Sequence, residues 1–286
     1  MNALLASKAC DVTGLVAIAC ARHGCYAPGS LVDLFLGEGQ RNMDFSVLRG
    51  ILLTNVDPDQ GLLLIYDIIC QYIVHFLERM GIHLPEGLQV DAAIGLFHVH
   101  AHKDDCFFRF APTFIPGTGI VAGEILESLW SSLNSISPSA RTATLGHRAD
   151  IIDDHATDSN HKKMLGIISS LCMNHVKSVD MSKDAQDYYD RISNQAGPAA
   201  INKWKLEIEE AERVRLQNRS AMDIYAAKID KPTGSASVRI NTDFSERDRW
   251  MSLALLVEDK QYAIYLISCH LLIIFFFVKI EIKGKG

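Results

Sequence analysis

Apolar and polar positions change period several times along the chain, and each change marks an element. Val12–Ala19 is apolar and rich in β-formers until Arg22-His23-Gly24 breaks it, and Ser30–Leu36 alternates weakly up to Gly37. The pair predicts two strands, a hairpin with a long turn. Met43–Leu53 has the spacing of a short helix and ends before the turn signal Asp57-Pro58-Asp59. Gly61–Tyr66 is an unbroken apolar run closed by Asp67. A run of that length suits a central strand buried on both faces, often a parallel one.

Gln71–Met80 returns to helical spacing, with Tyr72, Phe76 and Arg79 on one side and Ile73, Leu77 and Met80 on another, and Gly81 stops it. Ala93–His102 reads as a further strand. After the loop Pro116-Gly117-Thr118-Gly119, Val121–Ile136 predicts a helix whose apolar face carries Leu126, Leu129, Trp130 and Leu133. Residues 61–136 therefore run strand, helix, strand, loop, helix, which is an α/β order. Residues 150–228 are helical and highly charged. Within them Lys203–Arg219 predicts a solvated helix with attracting pairs Lys203–Glu207, Lys205–Glu209 and Glu209–Arg213, and a repelling Glu207–Glu210.

Pro232–Ser237 is a break. Ala263–Val278 is apolar except at Ser268, Cys269 and His270, and three lysines, Lys279, Lys283 and Lys285, follow. It falls short of the roughly 20 residues that a spanning helix needs, so it reads either as a short tail anchor in a membrane or as foreign sequence. The resulting division is a core at 1–145, a helical extension at 146–230, a linker with a short helix at 231–261, and an apolar tail at 262–286.

Composition narrows the class. Of 286 residues, 48% are hydrophobic and 22% charged, so the chain can bury a globular core. The net charge of −6 lacks the Lys/Arg excess by which DNA-binding proteins neutralise phosphates, so any basic surface is local or lies elsewhere. Seven cysteines at irregular spacing, with no secretory signal at Met1–Leu5, point to a reducing compartment rather than a disulfide framework.

Candidate chemistry gathers in three places. Asp67 closes a buried strand, where open α/β sheets meet ligands, and an Asp just before a helical segment also suits an N-cap. Glu124 and Glu127, three apart, share one side of the helix expected from Val121, where either joins Asp67 around a hard divalent cation or complements the helix dipole. His98, His100 and His102 alternate on the expected strand, with Cys106 four residues on; such a set suits zinc, though one strand closes at most part of a tetrahedron, and solvated edge histidines are the plain alternative. Cys20 and Cys25 flank Arg22-His23-Gly24, read as a turn with buried thiols.

Taken in order, several segments resemble the KDZ (Kyakuja–Dileera–Zisupton) transposases of fungal genomes. They are Cys10-Asp11-Val12-Thr13-Gly14, Cys20-Ala21-Arg22-His23-Gly24-Cys25, Gly37-Glu38, Asn42-Met43-Asp44, Tyr66-Asp67-Ile68-Ile69-Cys70-Gln71 and Leu84-Pro85-Glu86-Gly87. Phe97-His98-Val99-His100-Ala101-His102, Gly123-Glu124-x-x-Glu127-x-x-Trp130 and Asp153-Asp154-His155-x-x-Asp158-Ser159-Asn160 follow.

The resemblance spans roughly residues 10–260. It implies a ribonuclease-H-like mixed sheet with flanking helices and a helical C-terminal extension, carrying an Asp-Asp-Glu triad that uses Mg²⁺ or Mn²⁺ to cut transposon ends and join them to target DNA in the nucleus. Asp67 matches the family's second Asp, and Glu127, with Glu124 as the alternative, its Glu. His98, His100, His102 and Cys106 fall in the His/Cys segment between them.

The family's first Asp belongs on a strand upstream of the Cys10 segment, for which too little chain remains; Asp11 and Asp33 align elsewhere. The expectation is a truncated core, inactive alone, whose partners would be DNA and further copies of the chain. A non-catalytic, transposon-derived DNA-binding or interaction protein is the first rival, and a tail-anchored membrane protein the second.

Overall fold

The computed structural model describes residues 11–35, 37–119 and 121–225, together with the backbone of a strand at Ile274–Glu281. The fold is mixed α/β and mostly helical. In chain order the first elements are β1 (Gly14–Ala17), β2 (Val32–Leu34), α1 (Gln40–Thr54), β3 (Leu62–Tyr66), α2 (Ile69–Tyr72), α3 (Phe76–Met80) and β4 (Val90–Ala93). The helices α4 (Leu96–Val99), α5 (Asp104–Phe110), α6 (Ile125–Leu133), α7 (Ser137–Thr142), α8 (Leu145–Ala196) and α9 (Pro198–Arg213) follow, and β5 (Ile274–Glu281) comes last.

One compact unit holds a five-stranded sheet in the order β2-β1-β5-β3-β4. β1 runs antiparallel to β2 and to β5, whereas β3 is parallel to β4 and β5. β1 and β3 are buried along their whole length, as their unbroken apolar runs require. α1 buries Met43, Ser46, Val47, Gly50 and Ile51, and Asn55 ends it in the left-handed region with its N–H on the Ile51 carbonyl.

Polar anchors tie the helices to this sheet. Asp44 on α1 accepts from the Tyr72 hydroxyl (2.6 Å) and from Arg79 Nε (2.9 Å). Asp33 on β2 takes a two-pronged bond from Arg148 on α8, whose side chain is 4% exposed. Asn160, further along α8, both accepts from the Tyr26 N–H (2.7 Å) and donates to its carbonyl (2.9 Å). Two of the segments that carry the resemblance, Asn42-Met43-Asp44 and the one that ends at Asn160, thus have structural duties.

The second unit, drawn from 100–120 and 174–269, is built around Ala211, Met222 and Tyr225, with Trp204, Ile208, Phe108 and Phe114 against them. Arg215 organises it. Its buried guanidinium donates to the carbonyls of Phe108 and Arg109 (both 3.0 Å) and of Phe114, and pairs with Glu212. Carbonyls that would otherwise be orphaned in an aromatic cluster are satisfied by one side chain.

The hairpin β1–β2, the helix at α1, the central strand β3 and the buried face of α6 (Leu126, Leu129, Trp130, Leu133) follow the sequence pattern. Several bounds do not. Gln71–Met80 is a broken helix that starts at Ile69, because a 3₁₀ turn at Ile73–His75 interrupts it while Tyr72 is held by Asp44. Ala93–His102 is not a strand; β4 stops at Ala93 and the chain turns into α4, for reasons given below.

The helix expected at Lys203–Arg219 is α9, started early by Pro198 in its first turn and closed at Arg213. Lys203 meets Glu207 at 4.0 Å, but Arg213 turns to Glu210 (2.6 Å) instead of Glu209. Pro232–Ser237 and residues 263–273 of the apolar tail lie outside the described residues. The part of the tail that is described is a sheet strand, not a helix. Among the described residues, no helix is long and apolar enough to cross a membrane.

Candidate metal centre

Asp67 follows β3 directly, half-buried at the C-terminal rim of the sheet. It does not cap the helix after it; Ile68 holds that place, with no side-chain cap. The neighbouring strand β4 ends one residue short of β3, at Ala93, because another part of the chain is pressed onto it. Gly95 and Gly123 touch backbone to backbone, and a Cβ on Gly123 would lie 2.5 Å from the Gly95 Cα. The Leu96 N–H donates to the Ala122 carbonyl (2.7 Å) and the Phe97 N–H to Glu124 Oε1 (2.8 Å).

These bonds take the donors that a continuing strand would need, and so they bend 96–99 into α4. They also dock the start of α6 at the rim. Glu124 is therefore the N-cap residue, outside the helix, which begins at Ile125 rather than Val121. Glu127 lies in the first turn.

His98 on α4 stands between the acids, its Nε2 3.3 Å from Glu127 Oε1 and 3.8 Å from Asp67 Oδ1. Burial, and the charges of Glu127, Glu38 and Glu124, push the Asp67 carboxyl up to about 6, against the pull of His98. Burial also raises Glu124, opposed by its bond from the Phe97 N–H. Like charges gathered at a half-buried rim ease protonation of Asp67 and favour anything positive that comes between them. The donors are hard oxygens with one imidazole at their centre, and such a set fits a divalent cation of the Mg²⁺ or Mn²⁺ kind.

The three acids picked from sequence thus converge, with His98 among them. His100, His102 and Cys106 belong to the second unit, and the shared strand face expected for the three histidines does not exist because β4 has already ended. His100 is exposed and rests on the Phe107 ring (5.3 Å between centroids). His102 and Cys106 bring one ligand atom each to within 4.8 Å of the other, and both are ligand types that zinc accepts.

Glu38 escaped the sequence reading as a site residue. Its carboxylate accepts from the Tyr66 hydroxyl next to Asp67 and adds to the charge there. The signal available was the short Gly37-Glu38 match. At the Cys20 turn, the Cys20 N–H donates to the Cys25 carbonyl (2.8 Å), closing the expected turn. Burial raises the Cys20 thiol, but the hydrogen bond and charge of His23, 3.3 Å away, outweigh it and leave the thiol below its usual value.

Carboxylates meeting at the C-terminal rim of a mixed sheet define a class of centre suited to holding divalent cations on an α/β core. The family model for the Kyakuja-Dileera-Zisupton transposase (KDZ) matches residues 2–160, more than half of the chain and all four rim residues, and the chain belongs to that family. The match ends at Asn160, well short of the residue near 260 to which the sequence resemblance extends. No curated protein sequence and no solved structure matches it.

Proposed function

We propose that the chain is a ribonuclease-H-like, DDE-type transposase core that holds a divalent cation at Asp67 and Glu127 and acts on DNA in the nucleus, without completing strand cleavage by itself. What carries this reading is the convergence of Asp67, Glu127, Glu124 and His98 at one rim of the sheet. The sheet order, with an antiparallel pair on one side of the middle strand and parallel strands on the other, supports the fold assignment. Family membership supports DNA as the substrate. The Phe97 ring, 79% exposed and edge-on to His98 at 5.7 Å, supplies a face on which a base stacks.

The geometry supports these roles. Asp67 and Glu127 give one oxygen each toward the cation, and Glu124 is oriented by the Phe97 N–H. His98 keeps the two carboxylates apart and offers Nε2 to a water or phosphate oxygen. A bound cation in such a site lowers the pKa of a water or hydroxyl and offsets charge on the phosphate. An in-line transfer by a cation pair needs more carboxylates than this rim presents, since Glu38 is engaged by Tyr66 and Glu124 by the backbone.

The test is incubation of the purified chain with transposon-end DNA and Mg²⁺ or Mn²⁺. The expected outcome is Mn²⁺ binding that is lost in Asp67→Asn and Glu127→Gln, with neither nicking nor joining. Robust cleavage abolished by Asp67→Asn would overturn the inactivity while keeping the site; absence of cation binding would overturn the site.

A further inference from the structure

The sheet is assembled out of chain order. β1 to β4 come from residues 14–93, yet the middle position is filled by β5, from residues 274–281, across the long stretch 226–273. β5 pairs along its length on both sides: Gly14–Ala17 lie opposite Glu281–Val278, and Leu63–Tyr66 lie beside Ile274–Phe277. Among the described residues no other strand bridges β1 and β3. Without β5, each would present an open edge, and both strands are buried from end to end. Buried N–H and C=O groups left without partners are costly, so this gap must be filled by backbone in extended form. The β5 sequence, Ile-Phe-Phe-Phe-Val-Lys-Ile-Glu, opens with five apolar β-formers and no alternation. That is the pattern of a strand covered on both faces rather than of an edge.

We propose that the gap between β1 and β3 is a strand-accepting slot, and that the chain's own C-terminal strand is seated in it as a separable insert. The ligand class of the slot is an apolar extended peptide of about eight residues, antiparallel to β1 and parallel to β3. Recognition is by main-chain hydrogen bonds on both sides, so the slot reads extended apolar character more than individual side chains.

The insert closes the sheet without adding an acid at the rim. Tyr66 is level with Phe277, so the position level with Asp67 is Val278. The slot stands whether or not the rim binds a cation, and the two can be tested apart.

The first measurement is hydrogen exchange on the intact chain. Amides of 274–281 should exchange at least ~100-fold slower than unstructured peptide, in the same class as 62–66. Next, a protease site is introduced between Ser235 and Ala236 of the full chain and cut after folding. The piece carrying β5 should remain with the rest on gel filtration, and a labelled peptide of residues 270–286 in excess should replace it. Phe276→Pro, which removes a ladder donor from the middle strand, should speed exchange in 14–17 and 62–66 but not in 198–213. If that variant is insoluble, exchange on the unaltered chain decides. Free exchange of the 274–281 amides, or separation of the cut piece without denaturant, overturns the proposal.

Discussion

Replacing Asp67 by Asn should make the metal-free protein more stable at neutral pH. The carboxyl sits at about 6 in the fold against 3.8 for the unreacted group, because burial and neighbouring acids disfavour its charge. A gap of about two pKa units corresponds to roughly 3 kcal/mol. The side chain is 35% exposed, and solvent screening brings the usable figure down to about 1–2 kcal/mol. The sign follows from linkage. Below pH 3.8 Asp67 is protonated in both folded and unfolded chains and costs nothing. Between 3.8 and about 6 the unfolded chain ionises first, so stability falls as pH rises, and above about 6 the full penalty remains.

Asn keeps the shape and removes the charge. At pH 7.5 the thermal midpoint of Asp67→Asn should therefore rise by about 2–5 °C, and at pH 3.5 it should match the unaltered protein. Mn²⁺ should reverse the order at pH 7.5 by stabilising only the chain that retains Asp67. Scanning calorimetry at the two pH values, with and without Mn²⁺, reads all four cases. A lower midpoint for the variant at pH 7.5 without metal, or an effect independent of pH, would refute the reasoning.

Three further outcomes are expected. Gly123→Ala forces a Cβ to within 2.5 Å of the Gly95 backbone at a φ of +93°, so it should cost about 2 kcal/mol or more in a denaturant titration and weaken Mn²⁺ binding by displacing Glu124 and Glu127. Arg148→Ala leaves the partly buried Asp33 without its guanidinium, with an expected loss of about 2–3 kcal/mol; Arg148→Lys, lacking the two-pronged geometry, should recover only part of it. Phe97→Ala should lower affinity for single-stranded DNA by about 1–3 kcal/mol in a fluorescence anisotropy titration while leaving Mn²⁺ binding intact; unchanged DNA affinity would remove that ring from the interface.

The legible parts of this molecule are those where a local pattern is also the tertiary answer. The apolar run 62–66 is a strand because nothing but a sheet interior suits it, and the spacing of Leu126, Leu129, Trp130 and Leu133 presents a single buried stripe. Asp67 could be grouped with Glu124 or Glu127 because one closes that strand and the others stand at the start of that helix, and the preference for Glu127 came from the family resemblance. His98 could not be placed with them from sequence. His-x-His-x-His reads as strand alternation, and only the contact of Gly95 with Gly123, 28 positions apart in number, turns the segment into a helix that aims His98 at the acids. The tail was opaque for a different reason. An apolar run without alternation suits a buried strand and a buried helix equally, and its partners, β1 and β3, lie some two hundred residues away along the chain.

Under the proposed function, the acidic balance of the chain and a DNA substrate would be reconciled at the rim itself. With a net charge of −6 and several carboxylates facing Asp67, this face repels a phosphate backbone. Protonation of Asp67 relieves part of that repulsion below about pH 6 but also removes the oxygen that would hold a cation. At neutral pH the same carboxylates become attractive to DNA only through an ion between them and the phosphate. A divalent charge held close to two carboxylates changes the local sign over distances shorter than a Debye length, about 8 Å at physiological salt. If the proposed function holds, DNA affinity at the rim should be conditional on the cation, while the Phe97 face should contribute a part that is independent of it. Because Val278 of β5, and not an acid, is level with Asp67, the proposed site would keep a charge suited to one ion and a phosphate rather than to two ions.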